Sequence, residues 1–246
     1  MARFRSTQLE RSELALLERF RDRWLQVRML DLGVGTGRTA YTFAPLVGEY
    51  VGIDYSPEMI ELARAEVPTA PHVRFEVGDA RCLEGNYDGP WELVLFSFNG
   101  IGGVGHEERL DVLRQVRERL TGDGLFCFSA HSAHSLPRDK PALMLDPRRP
   151  LRSVYRSARA LQERRIVKTV NAGVNPVTFD DRGWDRLADG SHGFQERWYY
   201  VTVGEQLRQL EEAGFGAVEV LNNDAQPVDP ANPSRDPWLH YFCHAG

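Results

Sequence analysis

Hydrophobic and polar positions change rhythm along this chain, and each change predicts an element. Leu9, Leu16, Leu17, Phe20 and Trp24, with charges between them, have the spacing of an amphipathic helix. Met29, Leu30 and Leu32 form an apolar run that predicts a buried parallel strand. The run enters Gly33-Val34-Gly35-Thr36-Gly37, after which Ala40, Phe43 and Ala44 resume helical spacing. Residues 49–54 predict a second strand ending in an acid. Ser56 then caps a helix, with Pro57 in its first turn, Glu58 near its positive end, and Met59, Ile60, Leu62 and Ala63 on its inner face. Residues 72–77 alternate as a third strand and end at Gly78-Asp79-Ala80. Residues 91–97 are almost continuously apolar, which predicts a central fourth strand. Residues 107–120 read as a helix stopped by Gly122-Asp123-Gly124, and residues 125–130 as a fifth strand.

This alternation predicts an α/β fold: a doubly wound, mostly parallel seven-stranded sheet with helices on both faces. The rhythm breaks after His131. Residues 132–200 are rich in Arg, Pro and Asp, with one helix expected at 151–164 and short strands at 166–170 and 197–203. A segment of that length between sheet elements is usually functional. It is expected as an insertion after the fifth strand that covers the strand ends, within a single domain spanning 1–246. Thr202 to Glu205 reads as a capping box, followed by a helix that stops at Gly214. Residues 215–221 and 238–242 predict the final strands, antiparallel neighbours, so that the last strand runs against the sheet.

Charge and cysteine usage narrow the function classes. The 246 residues carry a net charge of -5, which argues against a general grip on nucleic acid. No apolar run approaches membrane-spanning length, and the first residues lack the apolar core of a signal peptide. Cys82, Cys127 and Cys243 are widely separated and odd in number, which fits reduced thiols in the cytoplasm.

The candidate chemistry lies at the carboxyl ends of the strands, where open α/β sheets bind ligands. Glycines at 33, 35 and 37 let backbone N–H groups approach a ligand closely. Asp54 lies about 20 residues past that loop, the place of an acid that binds ribose hydroxyls; such charge-assisted bonds are worth about 1.5–3 kcal/mol each. His131 follows the fifth strand. It either caps the strand end or contacts an acceptor as general base, with Phe126, Phe128 and the loop at 100–105 making its surroundings partly apolar. His192, in the insertion, is the next candidate for the acceptor. His106 reads as a helix-start residue and His240 as structural. Neither an H-E-x-x-H motif nor a Cys/His cluster accompanies the histidines, so no metal site is expected.

The order LDLGVGTG (30–37), GIDYSPEM (52–59), VGDAR (77–81), LFSFNGI (95–101) and GEQLRQLEEAGF (204–215) resembles the class I S-adenosylmethionine-dependent methyltransferases. The resemblance implies that Asp31 and the glycine loop hold the methionine part of S-adenosylmethionine. It places Asp54 on the ribose and Tyr55 and Met59 beside the adenine. It puts Asp79 on the adenine amino group and the Ala80 backbone on a ring nitrogen, with Gly78 among the cofactor-binding residues. Ser97 and Phe98 lie beside the cofactor, and Asn99 closer to the transferred methyl. It implies an enzyme that methylates an O or N atom. The enzymes that methylate DNA amino groups typically carry Asp/Asn-Pro-Pro-Tyr/Phe where this chain has Ser97-Phe98-Asn99-Gly100, which favours a small-molecule or peptide acceptor. The alternatives are a non-catalytic module that binds the same cofactor for a partner protein, and an NAD(P)-dependent oxidoreductase. The latter is disfavoured because the loop is tighter than G-x-G-x-x-G and no Tyr-x-x-x-Lys pair accompanies it.

Overall fold

A computed structural model describes residues 8–68, 70–135, 165, 169, 171, 179, 181–188 and 196–246. Its strands are β1 (Arg28–Leu32), β2 (Glu49–Asp54), β3 (Val73–Val77), β4 (Trp91–Phe96), β5 (Leu120–Ser132), β6 (Trp184–Ala188), β7 (Arg197–Val201), β8 (Val218–Leu221) and β9 (Trp238–His244). Strands β3-β2-β1-β4-β5 run parallel in that spatial order. Strand β9 is antiparallel to both β5 and β8, which completes the seven strands expected from the sequence.

Among the described residues, the insertion adds two strands more. Strands β6 and β7 form an antiparallel ribbon, and β7 pairs parallel with β5 at His131↔Tyr200 and Ser132↔Val201. His131 also pairs with Trp238 of β9. A strand residue has one neighbour on each edge, so β7 occupies the edge of β5 that β4 leaves where it ends at Phe96. Because β5 is held on both edges this far along, it runs to Ser132, and His131 lies inside the strand instead of after it. At its other end the expected glycine stop at 122–124 is part of β5: helix α4 (His106–Arg119) passes straight into the strand at Leu120, which pairs with Trp91. The helix expected at 151–164 lies outside the described residues, as does the strand expected at 166–170 apart from Thr169, which is helical.

The helices that pack on the sheet with α4 are α1 (Arg11–Arg19), α2 (Ala40–Phe43), α3 (Pro57–Glu66) and α5 (Val203–Glu212). Helix α3 starts as the sequence dictates, with the Ser56 hydroxyl accepting from the Met59 amide at 3.3 Å. Thr202 caps α5 by accepting from the Glu205 amide at 3.3 Å, while the Glu205 carboxylate turns to Arg208.

Side chains alternate along each strand, so the sheet has two cores. On one face Leu30, Leu32, Val94, Phe96, Phe126, Phe128 and Tyr241 meet Val112, Leu113 and Val116 of α4 and Leu210 of α5. On the other Met29, Leu93, Leu95, Cys127 and Phe242 meet Leu16 and Phe20 of α1 together with Phe43, Ile60 and Ala63. Each such fully buried Leu or Phe contributes about 1.5–3 kcal/mol relative to an exposed one. By the same alternation Ser97, Ser129, His131, Trp238 and His240 belong to the α1 face.

Polar bonds anchor α1 to that face. The Ser12 hydroxyl lies 2.8 Å from His240 Nδ1, and His240 Nε2 lies 3.2 Å from Asn223 Oδ1. An amide oxygen only accepts, so Nε2 carries the proton and Nδ1 accepts from Ser12. Burial holds the His240 imidazole down at about 4, against the weaker upward pull of the Glu13 and Asp236 charges. An unfolded histidine titrates near 6.5, so below that pH the unfolded chain takes up the proton first. The stability tied to a neutral His240 is therefore complete above pH 6.5 and is lost as pH falls toward 4. Urea unfolding at pH 7.5 and pH 5 should show a loss of about 2 kcal/mol from this group. His240→Gln should flatten that dependence; an unchanged slope would mean that His240 is already charged in the fold.

Candidate cofactor and acceptor site

The loop after β1 turns on glycines held at positive φ: +63° at Gly33, +57° at Gly35 and +87° at Gly37. At Gly37 the requirement is doubled, because a Cβ would stand 2.6 Å from the Val67 side chain. The Gly35 amide donates to Asp54 Oδ2 at 2.9 Å and the Ser56 amide to Asp54 Oδ1 at 3.0 Å. A carboxylate offers about four lone-pair positions, so two stay open beyond these two bonds. Next to Asp54, Tyr55 is 79% exposed, and the exposed Val77 pairs in register with Asp54. Apolar surface left in water beside an acid suits a flat ligand with a polar rim. Met59 is half-buried on the same side, at the start of α3.

The neighbouring acids are more occupied. Asp31 is buried, and its Oδ2 accepts from both the Thr39 and Tyr50 hydroxyls at 2.6 Å. Burial pushes its carboxyl up to about 6, the two hydroxyls pulling the other way. Asp79 is gripped by Arg81, with Nη2 at 2.6 Å and Nε at 3.0 Å, which holds it below the usual carboxylate range. Any ligand contact at Asp79 is shared with that guanidinium. Gly78 donates its amide to the Asp54 carbonyl at 3.0 Å, and Ala80 is half-buried beyond it.

A second polar knot ties α1 to the glycine loop. Arg38 donates to Glu13 through Nη1 at 2.7 Å and Nη2 at 2.5 Å, and to the Ser97 hydroxyl at 2.6 Å; Ser97 in turn donates to Glu13. Burial pushes Glu13 up, but the bonds and charge of Arg38 prevail and hold it below its ordinary value. The guanidinium also lies 5.4 Å from the Phe98 ring centre. Glu13 and Arg38 escaped the sequence reading, although a signal was present. Glu13 sits on the same stripe of α1 as Leu9, Leu16 and Phe20, where a charge must be paired.

Past β4 the backbone is strained. Phe98 and Asn99 are both left-handed, at φ 54° and 59°; such residues cost about 1–3 kcal/mol each and concentrate at functional sites. The Asn99 amide donates to the Ser129 hydroxyl at 2.8 Å, and Gly102 donates to the Asn99 carbonyl at 2.8 Å. Asn99 is 2% exposed, and its Oδ1 is buried without a donor. Phe98 is 41% exposed and stands edge-on to Trp238 at 5.0 Å. His131 stacks on Tyr200 at 4.9 Å and meets Trp198 and Trp238 edge-on at 5.7 and 6.3 Å. These rings, and Gly102, whose Cβ would lie 3.3 Å from His131 Nδ1, make its surroundings apolar. Phe126 and Phe128, expected in that role, are on the opposite face of the sheet. His192 lies outside the described residues.

Residues 29–124 match the model of a family described as methyltransferase domain. Over 115 residues the chain is 36% identical to the ubiquinone/menaquinone biosynthesis C-methyltransferase UbiE of Citrifermentans bemidjiense, covering 45% of this chain and 48% of that one. The chain thus spans about half the length of the curated relatives of this kind. A solved S-adenosylmethionine-dependent methyltransferase from Mesorhizobium loti superposes with a TM-score of 0.62 at 19% identity, over 95% of this chain and 97% of that one. The glycopeptide N-methyltransferase MtfA, solved with S-adenosylhomocysteine, superposes with a TM-score of 0.59 at 16% identity, over 97% and 91% of the two chains. Residues 29–124 thus resemble a methyltransferase domain in sequence, and the fold is the one that solved S-adenosylmethionine-dependent methyltransferases share.

The Glu13–Arg38 pair gives a direct test of how α1 is held. Glu13→Ala leaves a half-buried guanidinium bonded to Ser97 and the Gln8 carbonyl, with the Glu10 and Asp31 charges nearby, and should cost about 3 kcal/mol in denaturant unfolding. Adding Arg38→Leu to that variant should restore part of the loss. A loss below 1 kcal/mol in the single variant would mean that water already solvates the pair.

Proposed function

We propose that this protein transfers a methyl group from S-adenosylmethionine to an O or N atom of a small-molecule or peptide acceptor. The observation that carries the reading is the left-handed glycine loop bonded to Asp54, a carboxylate that keeps acceptor capacity beyond its two amide bonds and adjoins the exposed Tyr55 and Val77. In this reading Asp54 binds the ribose hydroxyls, and Tyr55 and Met59 flank the adenine with Val77 beneath. Gly78, Asp79 and the Ala80 backbone meet the adenine edge. Gly33, Gly35 and Gly37 admit the methionine part, with Asp31 Oδ1 toward its ammonium. Ser97 and Phe98 close the cofactor on the side of β4. Asn99 and His131 line the acceptor side, with His192 a further contact from the insertion. Residues 132–200 cover the acceptor; the attachment of β7 to the end of β5 supports this. The three free cysteines fit residence in the cytoplasm.

The sulfonium of the cofactor supplies an already activated methyl group. The protein's own task is alignment and exclusion of water, and alignment alone can supply about 7–11 kcal/mol. The strained Phe98-Asn99 turn fits that task, since it sets two side chains rigidly at the strand end.

Calorimetry should show S-adenosylmethionine and S-adenosylhomocysteine binding, and each should raise the melting temperature by mass action. Asp54→Ala should weaken both about 100-fold or more, because it deletes the ribose bonds. Tighter binding of NADH than of S-adenosylmethionine would overturn the reading, and wild-type affinity in Asp54→Ala would displace the ribose from Asp54.

A further inference from the structure

We propose that Arg81 gates the adenine edge: its guanidinium fills the Asp79 carboxylate and yields a place on it to the base by turning toward Glu108. The inference rests on the cofactor placement above and adds to it a positioning residue that acts through Asp79 and sets which base is accepted.

Asp79 adjoins Asp54. The Gly78 amide before it donates to the Asp54 carbonyl at 3.0 Å, and Val77, one residue earlier, pairs in register with Asp54. The two acids differ in what they have left to give. Asp54 accepts two amides and keeps acceptor capacity beyond them. Asp79 accepts from Arg81 at four points. Its Oδ1 takes the Arg81 backbone amide at 2.9 Å and Nε at 3.0 Å; its Oδ2 takes the same Nε at 3.0 Å and Nη2 at 2.6 Å. A carboxylate offers about four lone-pair positions, so these contacts fill it. A donor arriving at Asp79 therefore takes over a place that Arg81 holds. The backbone amide is fixed in the turn, which leaves the guanidinium as the partner that gives way. The Arg81 and Asp79 side chains are 48% and 34% exposed, and an ion pair so open to water is weakly held.

A second anchor for the guanidinium is already in place. Arg81 Nη1 donates to Glu108 Oε1 at 2.9 Å. The other oxygen of Glu108 accepts the Gly105 amide at 3.1 Å, which fixes that carboxylate in the first turn of α4. Gln115, further along α4, holds the backbone that carries Arg81: its Nε2 donates to the Arg81 carbonyl at 2.9 Å, and its Oε1 accepts the Leu83 amide at 2.9 Å. The main chain thus stays on α4 while the side chain turns. A turn toward Glu108 trades contacts with one carboxylate for contacts with another, and the guanidinium stays paired throughout.

This arrangement treats bases differently. The amino group of adenine is a donor, and it takes the acceptor that Arg81 releases. The oxo group that hypoxanthine carries in its place is an acceptor. A bare Asp79 repels it, whereas the guanidinium receives it where it already stands. Arg81 therefore weakens the hold on adenine and tolerates hypoxanthine. Without Arg81, the Asp79 carboxylate favours the amino base alone.

The test measures S-adenosylhomocysteine and S-inosylhomocysteine binding to the whole protein by calorimetry. Both have a neutral sulfur and the same amino-acid part, so a change in overall charge moves them together. Arg81→Met should tighten S-adenosylhomocysteine about 3- to 5-fold, the scale of one exposed ion pair, and leave S-inosylhomocysteine unchanged or weaker. In the wild type, affinity for S-adenosylhomocysteine should rise between about 50 and about 500 mM salt, because screening loosens the pair that has to open. That rise should vanish in Arg81→Met. Glu108→Gln, which still accepts from Gly105, should weaken S-adenosylhomocysteine about 3-fold; added to Arg81→Met it should have no effect. An Arg81→Met variant without a gain confined to the amino base overturns the proposal. So does a Glu108→Gln effect that persists in the absence of Arg81. Should Arg81→Met not fold, the wild type decides: an affinity that does not rise with salt overturns the gate. Failure of both ligands to bind the wild type would instead overturn the methyltransferase reading.

Discussion

Parallel strands have to stop, and beyond the last rung of the ladder their amides and carbonyls lose their partners. Burying such groups bare is costly. Asp54 resolves this for the cofactor half of the molecule. Its carboxylate takes up the Gly35 amide from the next strand's loop and the Ser56 amide from the start of α3. The same two bonds tie the left-handed glycine loop to the start of α3, and in the proposed reading the acceptor capacity they leave is what a ribose diol uses. Fold and site therefore share one interaction, and neither is an addition to the other.

The half that carries His131 depends on a different strand. β5 is longer than its parallel neighbours, and its last residues are paired on one edge by β9 and on the other by β7. That double pairing, with side-chain alternation, turns His131, Trp238 and His240 to the face that α1 covers. Helix α1 in turn is fixed by Glu13 on Arg38 and Ser12 on His240. One end of it is thus tied to the glycine loop and to β9 at once.

Much of this was legible in the residues. Strand-loop-helix order, the Ser56 cap and the acid after β2 are local patterns, and local patterns survive into the fold because short-range spacing determines them. The five parallel strands and the antiparallel end followed from the same rhythm. What escaped depends on register between distant segments. Nothing local in Leu125 to Ala130 says that β7 will take over the edge of β5 and lengthen it. The apolar neighbours of His131 come from residues 198, 200 and 238, while the nearer Phe126 and Phe128 point away. Glu13 was discoverable, since a charge on an apolar stripe demands a partner; that the partner is Arg38 was not. His240 read as structural, and its bonds to Ser12 and Asn223 agree with that.

The takeover of one edge of β5 by two strands in succession has a consequence for how such a chain changes over generations. The cofactor loop and its acid hang on β1, β2 and β4, which end before β7 begins to pair. The aromatic residues around His131 hang on the last rungs of β5. Mutations that reshape β7, or the segment leading to it, do not reach the ladder that carries the glycine loop. In the proposed reading, divergence in what is methylated is thereby separated from divergence in how the methyl donor is held, and the motif-rich first half can stay recognisable while the second half drifts.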